Sequence, residues 1–232
     1  QQDWPSRPVR IVAPYPPGAL TDLLARAIGD RLGTAMKQPF VIENKPGAGT
    51  LLGAEVVAKS APDGYTLLMA TSTTLGISPA LYRSSPIDPI RDFAPVSQVG
   101  SVNFFLSANP AVPAKTVGEA IEAIRGNPGK FNYASVGSGS PHHLFMEALK
   151  AELGLSIQHV PYKGTGPMLQ DLLGGRIESS NAGAPALLPH IKSGKVVALG
   201  TTEAKRSPLM ADIPALGEHP RLKGIDIGSW FV

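Results

Sequence analysis

The sequence predicts an α/β fold built twice, with strand, glycine- or proline-containing turn and amphipathic helix recurring in each half of the chain. Two observations carry this. Short apolar runs of strand length alternate with segments whose apolar residues fall at helical spacing. The 25 Gly and 23 Pro are spread over the junctions and are not gathered in one linker. With 43% hydrophobic residues, 232 residues are enough for one large or two modest cores. No apolar stretch reaches the roughly 18 residues of a membrane-spanning helix before Gly, Pro or charge interrupts it.

Val9-Arg10-Ile11-Val12-Ala13 reads as the first strand and Pro14-Tyr15-Pro16-Pro17-Gly18 as the turn after it. Thr21 or Asp22 then caps a helix with Leu23, Leu24, Ala27, Ile28 and Leu32 at helical spacing and Gly33 as its stop. Phe40 to Glu43 is a second strand, followed by a turn over Asn44 to Gly49 and a helix over about Leu51 to Lys59. Pro62-Asp63-Gly64 turns the chain into Tyr65 to Ala70, whose near-continuous apolarity fits a central parallel strand covered on both faces. Between Arg91 and Asn109 the periodicity becomes extended, which places the first crossing between domains there.

Beyond that crossing, Thr116-Val117-Gly118-Glu119 is a capping box for a helix through Arg125, and Phe131 to Ala134 is a strand. Ser140-Pro141 combines an N-cap with a first-turn proline and opens a helix carrying Leu144, Phe145, Ala148 and Leu149. Ile157 to Val160 is the next strand. Pro161 to Gly166 leads into a helix with Leu169, Leu172 and Leu173 buried, ended by Gly174-Gly175. Strand Val196 to Gly200 completes the second unit, and Ile213-Pro214 and Ile225 to Ile227 lead back. The domains are therefore expected at 1–100 with 222–232, and at 101–221. The apolar end Trp230-Phe231-Val232 points to a missing C-terminal segment of the first domain, and the start at Gln1-Gln2-Asp3, without Met, to a processed N-terminus.

Several chemistries are excluded by residue type and spacing. With no Cys there is no disulfide, thiolate metal site or Cys nucleophile. His142 and His143 are adjacent while His159, His190 and His219 stand alone, so no pair has the i, i+4 spacing of a helical metal site. A net charge of +3, with its 21 Lys and Arg unclustered, does not point to nucleic acid. Gly137-Ser138-Gly139 and Gly164-Thr165-Gly166 lack the third glycine of a dinucleotide fingerprint, no Walker lysine follows either, and Gly47-Ala48-Gly49 with Gly53 misses by one position. No cofactor is expected. An esterase reading would use Ser138, His143 and Asp22, but Ser135-Val136-Gly137-Ser138-Gly139 has Ser where a nucleophile elbow needs its first Gly.

The informative feature is a pair of glycine-containing turns, Pro14 to Asp22 and Ser135 to Ser140, each delivering the chain to a helix start. A helix N-terminus presents unpaired N–H groups and partial positive charge, and glycine lets an anion approach them, so such turns can hold a carboxylate without Arg or Lys. Capping alone would also place Gly, Ser and Thr there, and two matched turns leave both readings open. His143 either fixes its turn or donates to an anion, and Tyr15 and Tyr162 either pack or wall a pocket.

The segments Pro14 to Asp22, Glu43-Asn44-Lys45-Pro46-Gly47-Ala48-Gly49, Pro62-Asp63-Gly64-Tyr65-Thr66, Arg91-Asp92-Phe93-Ala94-Pro95-Val96, His159-Val160-Pro161-Tyr162-Lys163-Gly164 and Lys205-Arg206-Ser207 resemble, in order and almost end to end, the Bug family, the receptors of tripartite tricarboxylate transporters. The resemblance implies a two-lobed type II periplasmic binding protein fold, lacking here the C-terminal segment of the first lobe. It further implies a monomeric periplasmic receptor, its signal peptide removed, that delivers a small mono-, di- or aromatic carboxylate to membrane transporter subunits, with no catalytic residue, metal or cofactor. An ester hydrolase or a regulatory carboxylate-binding module are the alternatives. Carried over by position, the first turn gives Tyr15, Gly18, Ala19, Thr21 and Asp22, and the second gives Val136, Gly137, Ser138, Gly139, Ser140 and His143. Ser72 and Thr165 are neighbours, and Asn181, Ala182 and Gly183 are expected near the far end of the ligand. The family commonly has a second glycine at the position of Ala19 and an acid at that of Ala182. The missing acid argues against an amino-acid ligand, whose ammonium would lack a counter-charge.

Overall fold

The computed structural model describes residues 4–232, so the start at Gln1-Gln2-Asp3 lies outside the described residues. The chain divides into two units: one runs up to Gly100 and takes in Trp230–Val232, the other is Ser101–Ser229.

In the first unit, β1 (Val9–Ala13) is flanked by β2 (Phe40–Asn44) and β3 (Thr66–Leu68) in a parallel sheet of order β2-β1-β3, with Ile11 opposite both Ile42 and Leu67. Val9, Ile11, Val12 and Ala13 are all buried, so the strand covered on both faces is β1. This corrects the expectation for Tyr65 to Ala70. β3 lies at the edge of this sheet and is half-buried, and the buried part of that apolar run, Met69 and Ala70, lies beyond it. The Met69 N–H donates to Val12, and Ala70 and Val232 exchange backbone hydrogen bonds, which ties the chain end into this unit.

Helix α1 (Leu20–Met36) passes through Gly33 and ends at Lys37 in the left-handed region. Gly33, expected to stop it, serves close packing instead, as does Gly29: a Cβ on Gly29 would stand 3.1 Å from Ile42 Cδ1, and one on Gly33 3.3 Å from the Gln38 carbonyl. Contact with β2 thus outweighs the roughly 1 kcal/mol that a helical glycine costs. After a 3₁₀ turn at Ala48–Thr50, α2 (Leu51–Ala58) brings Gly53 against the turn after β1, where a Cβ would meet Pro14 Cβ at 2.8 Å. A π-helical turn at Thr73–Ile77 runs into α3 (Ser78–Leu81), and neither was legible as periodicity.

The chain leaves this unit through β4 (Gly100–Val102). The second unit is a mixed five-stranded sheet. Its strands are β5 (Phe104–Ala108), β6 (Phe131–Ser135), β7 (Ile157–Pro161), β8 (Ser179–Gly183) and β9 (Val197–Thr201), in the order β7-β6-β8-β5-β9. β6 is parallel to β7 and β8, and β5 runs against both its neighbours. Four helices complete it: α4 (Val117–Gly126), α5 (Pro141–Leu153), α6 (Thr165–Leu173) and α7 (Ala184–Lys192). Alternation along the strands feeds two cores, one with Leu106, Tyr133, Phe145 and Leu199, the other with Phe105, Ala134, Met168 and Leu187. Residues 222–229, expected in the first lobe, group with this unit, because Leu222, Ile225 and Ile227 pack on the first of these cores. The chain returns through β10 (Ser229–Phe231).

Candidate functional site

In the first unit the turn 14–19 follows the C-terminal end of β1, and Thr71 and Ser72 follow that of β3; parallel pairing brings these ends together, the usual place for ligands in open α/β sheets. The Tyr15 hydroxyl meets Thr71 Oγ1 at 2.9 Å, and Thr71 in turn reaches Thr74 Oγ1. Ser72 begins the π-helical turn.

α1 starts at Ala19 in extended conformation with no side-chain cap, whereas Thr21 or Asp22 had been expected to cap it. Both lie inside the first turn and are buried. The first-turn N–H groups of Leu20, Thr21 and Asp22 have no intrahelical acceptor, a consequence of helix geometry. Asp22 shapes the approach to them. Its Oδ2 accepts from the Gly18 N–H at 2.9 Å and from Arg26 Nε at 3.1 Å, and its Oδ1 accepts from Asn44 Nδ2 at 2.9 Å and pairs with Arg26 Nη2 at 2.9 Å. Arg26 first, then Gly18 and Asn44, hold this carboxyl down at about 2. The carboxylate is thus committed to the fold, and Arg26 is committed to it. Asn44 also donates to the Tyr15 carbonyl, locking the turn to β2. Gly18 has φ +82°, the left-handed region, and is exposed. Ala19 has φ −67° and ψ 156°, open to any residue, so the departure from glycine there costs no backbone strain.

The second turn hangs on Ser135, the buried last residue of β6. Its Oγ accepts from the Gly137 N–H and donates to the Gly137 carbonyl, both at 3.1 Å, and lies 2.6 Å from His159 Nε2. Ser140 closes the other side: its Oγ donates to the same carbonyl at 2.6 Å and accepts from the His143 N–H, the expected N-cap of α5. Gly137 and Gly139 have φ of +128° and +78°. The Gly139 N–H donates to His143 Nδ1 at 3.1 Å, so His143 fixes the turn through its own lone pair. Its ring stacks on His159 at 4.1 Å, and His159 stacks on Tyr133. Ser138 is exposed, Val136 packs on the second core, and Thr165 opens α6, which has no side-chain cap.

Of the expected far-end residues on β8, Asn181 is 1% exposed with Oδ1 unpartnered, and a Cβ on Gly183 would overlap Val102. Ala182 is fully buried beside Phe105, Met168 and Leu187. Its side chain faces apolar core, so an argument about a ligand ammonium cannot run through this side chain. The esterase reading fails on geometry, since His143 Nδ1 is occupied by Gly139 and its Nε2 faces Glu147 Oε1 at 4.0 Å. His142 is buried edge-on to Phe104, and burial holds its imidazole down to about 4.

Sequence reasoning missed Asn44 and Arg26 at the site, and the roles of Ser135 and His159. The last two had a signal: Tyr133 and Ser135 share a face of β6, Ile157 and His159 share a face of β7, and parallel register sets Tyr133 opposite His159.

Among the described residues no group of His, Asp and Glu is arranged to hold a metal ion, and no helix is long and apolar enough to cross a membrane. Residues 24–232 match the family model described as the tripartite tricarboxylate transporter family receptor. Protein BugT of Bordetella pertussis is 37% identical over 216 residues, covering 93% of this chain and 66% of the relative. A relative encoded in the gbd 5′ region of Cupriavidus necator is 37% identical over 220 residues, covering 93% and 65%. The chain spans about two thirds of the length of these curated relatives. Among solved structures, Rpa4515 of R. palustris with adipate superposes with a TM-score of 0.85 at 36% identity, covering 99% of this chain and 77% of that one. MatC (Rpa3494) from Rhodopseudomonas palustris with bound malate gives 0.81 at 32%, covering 98% and 77%. Periplasmic binding protein BugD gives 0.81 at 33%, covering 98% and 76%. The chain therefore has the fold of these periplasmic binding proteins.

Proposed function

The chain belongs to the tripartite tricarboxylate transporter receptor family, and we propose that it is a periplasmic receptor for a small dicarboxylate, which it delivers to membrane transporter subunits. The observation that carries this reading is the pair of turns held in shape by their own side chains. Gly18 is pinned by Asp22 ahead of an uncapped helix start, and Gly137 to Ser140 is pinned by Ser135, Ser140 and His143. The first leaves the first-turn N–H groups of Leu20, Thr21 and Asp22 without an intrahelical acceptor. In the second, the N–H groups of Gly137, Gly139 and Ser140 are spent on the turn itself, which holds that of Ser138 in place as a donor. Preorganised donors of this kind, with no Lys or Arg in either turn, suit a carboxylate. In this reading Tyr15, Gly18, Ala19, Thr21 and Ser72 bind from the first unit and Val136 to Ser140 and Thr165 from the second. Asp22 and His143 hold the turns, and Asn181 to Gly183 offer the ligand mainly backbone. The adipate and malate bound by the similar structures support the dicarboxylate class.

Thermal shift with adipate, malate, monocarboxylates and amino acids tests the reading. A ligand that binds only the folded state at 100 times its Kd stabilises by about 2.7 kcal/mol, several degrees for a chain of this length. At least one dicarboxylate should give such a shift, and a panel in which no carboxylate shifts the midpoint would overturn the proposal.

A further inference from the structure

We propose that His143 is a positioning residue that holds the turn Gly137 to Ser140 only while its imidazole is neutral, so that proton uptake by His143 loosens the turn and weakens carboxylate binding. This rests on the reading of that turn as a carboxylate site. The Gly139 N–H donates to His143 Nδ1 at 3.1 Å, which requires a lone pair on Nδ1. A proton placed there would point at the N–H it now accepts from. The backbone N–H of His143 itself is held by Ser140 Oγ, so the turn, the cap and the ring form one closed loop of bonds.

His159 and Glu147 face the His143 ring. His159 stacks on it from β7 at 4.1 Å, too close for both rings to carry charge comfortably. Burial lowers His159, with the neighbouring His143 a further cause. His159 Nε2 in turn lies 2.6 Å from Ser135 Oγ, whose hydroxyl can accept from a protonated Nε2 or donate to a bare one, so this contact survives either state of that ring. From α5, Glu147 Oε1 lies 4.0 Å from His143 Nε2, beyond a hydrogen bond, and is itself engaged by Lys150 at 2.7 Å and by the Tyr133 hydroxyl of β6. The bond from Gly139 thus leaves the proton of the neutral ring to Nε2 and provides for none on Nδ1.

The test is adipate calorimetry at about pH 7.5 and about pH 5.5 on wild type, His143→Asn and His143→Leu. Asn places an acceptor oxygen near the position of Nδ1 and does not titrate, while Leu removes the acceptor. Protonation of adipate is common to all three and cancels in the comparison. Between the two conditions wild type should lose about tenfold more affinity than His143→Asn, and Asn should recover binding that Leu has lost. An equal pH dependence in wild type and His143→Asn, or tighter wild-type binding at the lower pH, would overturn the proposal. Amide exchange at Gly139 provides a ligand-free readout: protection should fall with pH in wild type but hold in His143→Asn. Failure of wild type to bind adipate at about pH 7.5 would count against the carboxylate reading alone, with the exchange result still deciding the role of His143.

Discussion

Replacing Ser140 with Ala removes two interactions at one stroke, the N-cap of α5 and the 2.6 Å bond to the Gly137 carbonyl. That carbonyl keeps the Ser140 N–H and Ser135 Oγ, so it is not left without a partner and the loss is confined to the bonds themselves. An N-cap contributes about 1 kcal/mol and a neutral hydrogen bond about another 1 kcal/mol, giving a total near 2 kcal/mol. At about 3 °C per kcal/mol for a chain of this length, the melting temperature should fall by about 6 °C. Thr116→Ala is the matched control, since Thr116 Oγ1 caps α4 through the Glu119 N–H and touches no binding turn. It should cost about 1 kcal/mol, about 3 °C, and leave dicarboxylate affinity unchanged. Ser140→Ala should in addition lower that affinity about tenfold, because the turn it frees carries the donors. Scanning calorimetry paired with titration reads both quantities. Equal melting losses in the two variants, with affinity unchanged in both, would refute the claim that Ser140 holds the turn.

Asp22→Asn should lower the melting temperature near neutral pH through loss of the Arg26 pairing and of the grip on Gly18. The folded carboxyl is held at about 2, below its unfolded value near 4, so its contribution is present above about pH 4 and is lost as pH falls towards 2. The gap between wild type and variant should therefore close over that interval, and a gap that stayed constant would contradict the assignment. Gly200→Ala should cost about 1–3 kcal/mol in chemical denaturation, because the added Cβ would overlap the fully buried Leu216 and stand 3.2 Å from the Pro214 carbonyl. Gly126→Ala, with open space around it, should show no loss, and similar midpoints for the two would refute this packing.

What was legible in the sequence was local. Ser140-Pro141 and Thr116 marked helix starts because capping and the fixed φ of proline act within one turn, and both N-caps form, although Glu119 reaches back to the Lys115 N–H and not to that of Thr116 as a capping box would. β1 and β5 to β7 showed as apolar or alternating runs. β8 did not, because Ser-Ser-Asn-Ala-Gly has no β-branched or aromatic residue; it is a strand because β6 and β5 pair with it on either side. Gly33 misled for the same reason, its effect being set by the approach of α1 to the chain ahead of β2 and not by propensity. At the site, the glycine turns were visible but their locks were not. Asn44 stands 22 residues from the Asp22 it bonds, and His159 stands 24 from Ser135, separations that only the sheet register brings together. For Asp22 and His143 residue type revealed a polar group at a turn but not its partner, which is why His143 was left between fixing the turn and meeting an anion; the structure gives Asp22 to Gly18, Arg26 and Asn44, and His143 Nδ1 to Gly139.

In the proposed receptor, backbone donors and no side-chain cation hold the carboxylate. Titration calorimetry of adipate into wild type, Gly137→Val and Lys163→Ala tests it most directly. Gly137 sits at φ +128°, where an L side chain costs about 1–3 kcal/mol, while its Cβ would meet only the Tyr162 carbonyl at 4.0 Å, so the damage falls on the shape of the turn. Lys163 is exposed. Gly137→Val should lose about tenfold or more in affinity, and Lys163→Ala should stay within about threefold of wild type. Loss of binding in Lys163→Ala with Gly137→Val intact would contradict it.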